Sequence, residues 1–389
     1  MKKRPLRYGM VGGGVGSFIG GVHRKAIAID EMAELTAGCF SDHDERNKET
    51  GNRYGLDEER IYPDYRTMAE RENAREDGID FVSITTPNDT HYEIAKCFLE
   101  HGIHVACEKP LCFTAEQARD LQETADRKGL LFCVTYTYMG YNMIKLAREM
   151  ITKGEIGQLI NVNCEYLQEW QIDTVGMSSD EVSRNGVWRS DPKRSGISNC
   201  VGDIGTHIES VVSYITGSRV TKVAAVLDSY KQKLDLNANI LVELADGCHG
   251  VFCPSQVCVG HANGLRVRIF GTEGAVEWFQ EEPDHLLVVK KGRPKQIYDR
   301  GCGYIPGRAE RISRLPAGHP EGLIVAFSNI YRSFMGAIIK KNNGELLTGD
   351  DMDYPDITYG IHGVEFVTAV INSSRNGSAW TDVSCYGWY

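Results

Sequence analysis

The stretch Leu6-Arg7-Tyr8-Gly9-Met10-Val11-Gly12-Gly13-Gly14-Val15-Gly16-Ser17-Phe18-Ile19-Gly20 decides the fold. Its apolar start reads as a short strand ending in glycines, and Val22–Ile29 behind it reads as helix. Glycines between a first strand and a helix let backbone amides approach a pyrophosphate, where the helix dipole and free N–H groups favour an anion. The placement predicts a dinucleotide site on Gly12, Gly14, Gly16, Ser17, Phe18 and Ile19. The strict G-x-G-x-x-G spacing needs glycine at position 17, where this chain has Ser17. Gly20, three residues on, points to a longer phosphate loop.

Outward from this stretch the chain alternates strand and helix signals. Glu34–Phe40, Ile79–Thr85, Ile103–Cys107 and Leu130–Thr135 read as strands. Ile94, Ala95, Phe98 and Leu99 carry helical spacing that Gly102 stops, and Thr114 with Gln117 fits a capping box opening a helix that runs to Gly129. Repeated βα units predict a doubly wound parallel sheet, an α/β dinucleotide-binding (Rossmann) domain over residues 1–137. Beyond it the pattern becomes longer alternating stretches: Leu159–Tyr166, Val220–Leu227, Asn239–Leu244, Val251–Val257, Leu265–Phe270, Ala275–Phe279 and His285–Val289. Turn pairs such as Asp246-Gly247 separate several of them. With two late helices, Gly322–Lys340 and Tyr359–Ser374, this predicts an α+β domain over 138–389 with a large, mostly antiparallel open sheet.

Composition excludes several classes. The 389 residues are 42% hydrophobic and 25% charged, which is ordinary globular usage. A net charge of −10 argues against a nucleic-acid or anionic-membrane binder. No apolar run reads as approaching the ~20 residues of a membrane helix. The absence of a signal-like start predicts a cytoplasmic location. Twelve cysteines contain no Cys-x2-Cys spacing, so they read as reduced, mostly buried thiols rather than metal ligands.

Three places carry chemistry. The second strand ends in Phe40-Ser41-Asp42: Asp42 at the adenosine ribose favours NAD, whereas Ser41 there tolerates the 2′-phosphate of NADP. Glu108-Lys109-Pro110 closes a parallel strand at its carboxyl end, where ligands of open α/β sheets bind, so Lys109 can meet a substrate hydroxyl. Asp203-Ile204-Gly205-Thr206-His207 sets a carboxylate and an imidazole four residues apart, on one face if helical. Histidine suits the base that an alcohol dehydrogenation needs, because its unperturbed pKa is about 6.5.

Together these pieces resemble the glucose–fructose oxidoreductase/inositol dehydrogenase/MocA (Gfo/Idh/MocA) family. The matching segments are the glycine loop followed by His23, Thr86-Pro87-Asn88-Asp89-Thr90-His91, Glu108-Lys109-Pro110, Gly154-Glu155-Ile156-Gly157 and Asp203-Ile204-Gly205-Thr206-His207. Trp188-Arg189-Ser190-Asp191-Pro192, Gly264-Leu265-Arg266, Phe270-Gly271-Thr272-Glu273-Gly274 and Leu315–Gly322 are similar to a branch containing levoglucosan-type and glycoside 3-dehydrogenases. The resemblance implies NAD(P)-dependent hydride transfer from a sugar, glycoside or cyclic polyol. It makes Lys109, Asp203 and His207 the catalytic set, with Lys109, Tyr136, Tyr138, Asp203, His207 and His319 as substrate contacts. Thr86, Pro87, Asn88, His91, Glu108 and Lys109 would line the nicotinamide half of the cofactor cleft, and Trp188 and Arg189 would close over ring and substrate. It also implies a homodimer or homotetramer packed through the open sheet faces. Relatives that retain NAD while processing a glycoside by oxidation, elimination and reduction, and relatives that act as nucleotide-sensing regulators, define the alternatives.

Overall fold

A computed structural model describes residues 4–184 and 188–384. The chain forms two compact units: Met1–Gly140 with Leu323–Ile361, and Tyr141–Gly322 with His362–Tyr389.

The first unit is built on five parallel strands, β1 (Leu6–Gly12), β2 (Ala33–Cys39), β3 (Phe81–Thr85), β4 (His104–Cys107) and β5 (Phe132–Val134), in the order 2-1-3-4-5. Every residue of β3, β4 and β5 is buried, as a parallel sheet covered on both faces requires. Parallel pairing brings all the strand carboxyl ends to one edge, and the order reverses between β1 and β3, the place where ligands of such sheets bind. The capping box at Thr114 and Gln117 and the left-handed stop at Gly129 (φ 63°) bound the helix Ala115–Lys128 as read. The first helix starts at Phe18, earlier than its apolar residues suggest, because Ser17 caps it by accepting the Gly20 N–H. Asp44–Arg53 and Tyr65–Ala74 are also helices. Asp44–Arg53 buries only Asn47, Thr50 and Gly51, so it carries no apolar stripe to read.

Two expectations need correction. The first domain does not end the chain's part in the parallel sheet unit at residue 137: the helix Leu323–Asn342 returns to it. Phe327, Ile330, Tyr331, Phe334, Met335 and Ile338 join Tyr8, Met10, Val22 and Phe81 in one apolar core. This helix is also long and apolar enough to cross a membrane by length and composition, but more than half of its apolar window is buried in the protein. A core helix passes the same test as a membrane helix when both of its flanks are covered.

The second unit holds nine strands: β6 (Leu159–Leu167), β7 (Val220–Asp228), β8 (Asn237–Leu244), β9 (His249–Ser255), β10 (Gly264–Gly271), β11 (Gly274–Phe279), β12 (His285–Lys290), β13 (Gln296–Asp299) and β14 (Thr381–Asp382). Their order is 13-12-11-10-6-9-8-7-14, antiparallel except for the pair β6/β9. Alternation along β8 buries Ala238, Ile240, Val242 and Leu244 and leaves Leu241 half exposed, so one face is core. The helix Thr206–Thr216 packs on β6 and β10, which places the Asp203–His207 segment against this platform.

Candidate functional site

In the first unit the glycine loop is shaped by backbone demands. Gly12, Gly13 and Gly16 adopt φ of 80°, 72° and 87°, a region that favours glycine. A Cβ on Gly20 would lie 2.2 Å from the Gly13 Cα, so Gly20 supplies the close helix-to-loop approach that position 17 provides in the strict spacing. Ser17 is thereby left to cap the helix. Helix Asp44–Arg53 braces the loop: Thr50 Oγ1 accepts the Val15 N–H at 3.2 Å and Arg46 donates to the Val15 carbonyl at 2.9 Å. Among the described residues, nothing beyond the chain neighbours of Gly16 lies within 4 Å of where its Cβ would stand, and Phe18 is 75% exposed. An open backbone cradle ahead of an eleven-residue helix fits a pyrophosphate. Gly14 faces the end of β2, its Cβ position 3.1 Å from the Phe40 carbonyl oxygen. Ser41 there accepts the His43 N–H, and the Asp42 carboxylate stands exposed beside it.

The turns after β3 and β4 are tied together by a histidine. His91 is fully buried, with Nδ1 2.8 Å from the Pro110 carbonyl and Nε2 2.9 Å from the Thr86 carbonyl. Burial, against the pull of those two carbonyls, holds its pKa below the ordinary histidine value. The expected cleft-lining residue therefore lies between the two turns, its ring donating to one carbonyl or the other according to tautomer. Thr86, Pro87 and Asn88 remain partly exposed on the turn that it holds, where Thr90 Oγ1 donates to Thr86 Oγ1 or to the Pro87 carbonyl.

Glu108 is buried as well, at the centre of a network. Its Oε1 accepts from His23 Nε2 at 2.8 Å and from Thr135 Oγ1 at 2.6 Å, and its Oε2 accepts the Lys109 N–H at 3.2 Å. The carboxylate requires the proton of His23 on Nε2, which puts Nδ1 2.7 Å from the Tyr331 hydroxyl. Ser83 Oγ lies 2.9 Å from that hydroxyl. Burial pushes the Glu108 pKa up, but the hydrogen bond and charge of His23, the Lys109 charge and the Thr135 bond together hold it at about 2. Lys109, next in the chain, is half-buried, while Tyr136 and Tyr138 are buried.

In the second unit Asp203 and His207 lie on one continuous helical run. Residues 201–205 form a wide π turn, with the Thr206 N–H bonded to the Val201 carbonyl, ahead of the helix Thr206–Thr216. Such turns concentrate at functional sites. Asp203 Oδ2 accepts from Gln256 Nε2 at 3.0 Å, and its Oδ1 is 3.5 Å from Arg189 Nε. The Arg189 guanidinium lies over the Trp188 ring at 4.5 Å, so the Trp188–Arg189 pair stands beside the carboxylate. The His207 ring is nearly buried and meets the Tyr166 ring at 6.2 Å. His319 is exposed on the loop before residue 323, where its carbonyl accepts from Arg300.

Residues 6–136 match the family model described as oxidoreductase family, NAD-binding Rossmann fold, and residues 144–277 match the GFO/IDH/MocA C-terminal domain. The chain belongs to the GFO/IDH/MocA oxidoreductase family. It is 37% identical, over 97% of both chains, to an uncharacterized oxidoreductase of Bacillus subtilis. It is 27% identical to levoglucosan dehydrogenase of Pseudarthrobacter phenanthrenivorans, over 73% of this chain and 76% of that one. An inositol dehydrogenase homolog from Azotobacter vinelandii, solved with NADH and myo-inositol, superposes with a TM-score of 0.89 at 37% identity, covering 97% and 98% of the two chains. Family membership makes the chain an NAD-binding oxidoreductase, and the glycine cradle is where its residues suit the cofactor.

Several residues of this frame escaped the sequence reading. Ser83 and Tyr331 are ordinary strand and helix residues, Thr135 lies just past β5, and Tyr331 sits 308 positions from His23. Gln256, at the end of β9, has no motif around it, and only its bond to Asp203 marks it.

Two outcomes follow from this geometry. Gly16→Val forces a branched side chain onto a left-handed backbone at the open side of the cradle. It is expected to weaken NAD binding by about tenfold or more, because the amides lose their aim, while the open space around it spares the core. Calorimetric titration with NAD checks this, and an unchanged Kd excludes the loop as the site. For Glu108, the folded pKa of about 2 lies below its ordinary 4.5. Its stabilisation is therefore complete above pH 4.5 and is lost as pH falls towards 2. Urea unfolding should show Glu108→Gln less stable than the original by about 3 kcal/mol at pH 7, with the gap narrowing below pH 4.5. A gap that does not change with pH contradicts the assignment.

Proposed function

We propose that this oxidoreductase oxidises a secondary ring hydroxyl of a cyclic polyol, sugar or glycoside. The observation that carries this reading is the Asp203–His207 helical face, with Gln256 and Arg189 on its carboxylate and Tyr166 beside its imidazole. The 37% identity to a homolog solved with myo-inositol, spread over nearly the whole of both chains, supports the substrate class.

The glycine loop would hold NAD, which would supply the hydride acceptor. His207 takes the hydroxyl proton, a task for which an imidazole is suited near neutral pH. Asp203 is held in a fixed orientation by its Gln256 and Arg189 partners, so it can accept from a neighbouring hydroxyl or from the imidazole. Lys109 positions the reacting oxygen, its main chain fixed through the Glu108 carboxylate. Thr86, Pro87 and Asn88 shape the nicotinamide side on the turn held by His91, and Trp188 stacks under Arg189. Tyr136, Tyr138 and His319 are further substrate contacts in this proposal. Asp42, exposed past β2, favours NAD over NADP by repelling a 2′-phosphate. The outer sheet face, with Ile160, Val226, Leu241 and Ile297 half or more exposed, is the surface on which a second copy packs in this reading.

A panel of myo-inositol, levoglucosan and glucosides, followed by NADH absorbance, tests the reading. At least one member should be turned over, and Lys109→Ala and His207→Ala should each lower its kcat by about 10²-fold or more. NAD affinity should hold in both, and the double variant should lose little beyond either single one. Near-normal turnover in an alanine variant removes that residue from the mechanism.

A further inference from the structure

Asn199 is 1% exposed, and neither its Nδ2 nor its Oδ1 has a hydrogen-bond partner among the described residues. It sits one residue before the helical run that carries Asp203 and His207, the position at which an asparagine side chain ordinarily caps the first free N–H groups. Here that work is done by others. Asp235 accepts the N–H groups of Asn199 and Val201 at 3.0 and 2.8 Å, and Ser198 Oγ accepts the Gly202 N–H at 3.0 Å. The Asn199 amide is thus buried without a structural task, and an unmet buried polar group costs stability.

The Asp203 N–H bonds to the Asn199 carbonyl at 2.8 Å, so Asn199, Asp203 and His207 succeed one another at intervals of one helical turn. Two more buried amides adjoin. Gln256 spends Nε2 on Asp203 and leaves Oε1 unpartnered, and Gln171, whose N–H bonds to the Gln256 carbonyl at 3.0 Å, leaves Nε2 unpartnered. Both are fully buried. The three side chains offer donors and acceptors together and no positive charge. Asp203 and Asp235 border them, which disfavours a phosphate or carboxylate. A hydroxyl is both donor and acceptor, so adjacent hydroxyls on a neutral ring match this set.

We infer that Asn199, with Gln256 and Gln171, forms a hydroxyl-binding subsite for a neutral vicinal diol, one helical turn before Asp203. The inference rests on the polyol reading above and names the groups that recognise hydroxyls away from the reacting carbon. The decisive variant is Asn199→Ala, tested with whichever of myo-inositol, levoglucosan or the glucosides the original turns over fastest. KM should rise about tenfold, the worth of one buried hydrogen bond of about 1.4 kcal/mol, with kcat changed less than about threefold. The Tm of the ligand-free protein should hold or rise, since the variant removes an unmet group. A deoxy analogue lacking one adjacent hydroxyl should bind the original more weakly but lose little further in the variant. An unchanged KM, or a fall in Tm by several degrees, overturns the subsite while leaving the dehydrogenase reading in place. Failure of the original protein to turn over any panel member overturns that reading, and the proposed ligand with it.

Discussion

The Glu108 carboxylate is the interaction on which the first unit turns. It is buried, and a buried charge is tolerated only when its lone pairs are met. The partners come from separate segments: His23 on the first helix after the glycine loop, Thr135 just past β5, and the Lys109 amide at the end of β4. Behind His23 stand Ser83 on β3 and Tyr331 on the helix Leu323–Asn342. One charge therefore sets the phosphate-loop helix, the strand end carrying Lys109 and a helix from late in the chain in fixed relation. It explains in energetic terms why that helix returns: leaving it out would strip both the apolar core around Phe81 and the hydroxyl that meets the His23 ring.

The second unit reaches the same end by different means. A nine-stranded sheet supplies a stiff wall, and the wide turn at residues 201–205 sets Asp203 and His207 along it. Gln256 and Arg189 hold the carboxylate, while Asp235 and Ser198 fasten the start of the helical run. Rigid elements place side chains more accurately than loops do, and the proton transfer proposed for His207 is sensitive to such placement.

How much was legible in the sequence depends on the range of the interaction. The glycine stretch, the capping box at Thr114 and Gln117 and the stop at Gly129 are local, and each stands where local rules put it. Strand alternation in the second unit also carried through, because a half-exposed sheet must alternate. The helices Asp44–Arg53 and Tyr65–Ala74 carry no long apolar stripe: the first buries Asn47, Thr50 and Gly51, the second Met68, Ala69 and Glu72. Leu323–Asn342 reads as a helix, but nothing in its periodicity says which core its apolar residues enter, and it lies with the first unit. The role of Gly20 beside Gly13, the His91 brace and the Glu108 network are long-range contacts between unremarkable residues. A motif marks the residue that does chemistry more readily than the ones that hold it.

The most direct measurement follows the hydrogen itself. A panel substrate deuterated at the carbinol carbon, incubated with the protein and NAD, should yield NADH carrying deuterium at C4 of the nicotinamide, read by mass spectrometry and proton NMR. One deuterium per ketone formed, with none released to water, is the predicted result. NADH without deuterium, or label appearing in the solvent, contradicts direct hydride transfer from the ring carbon.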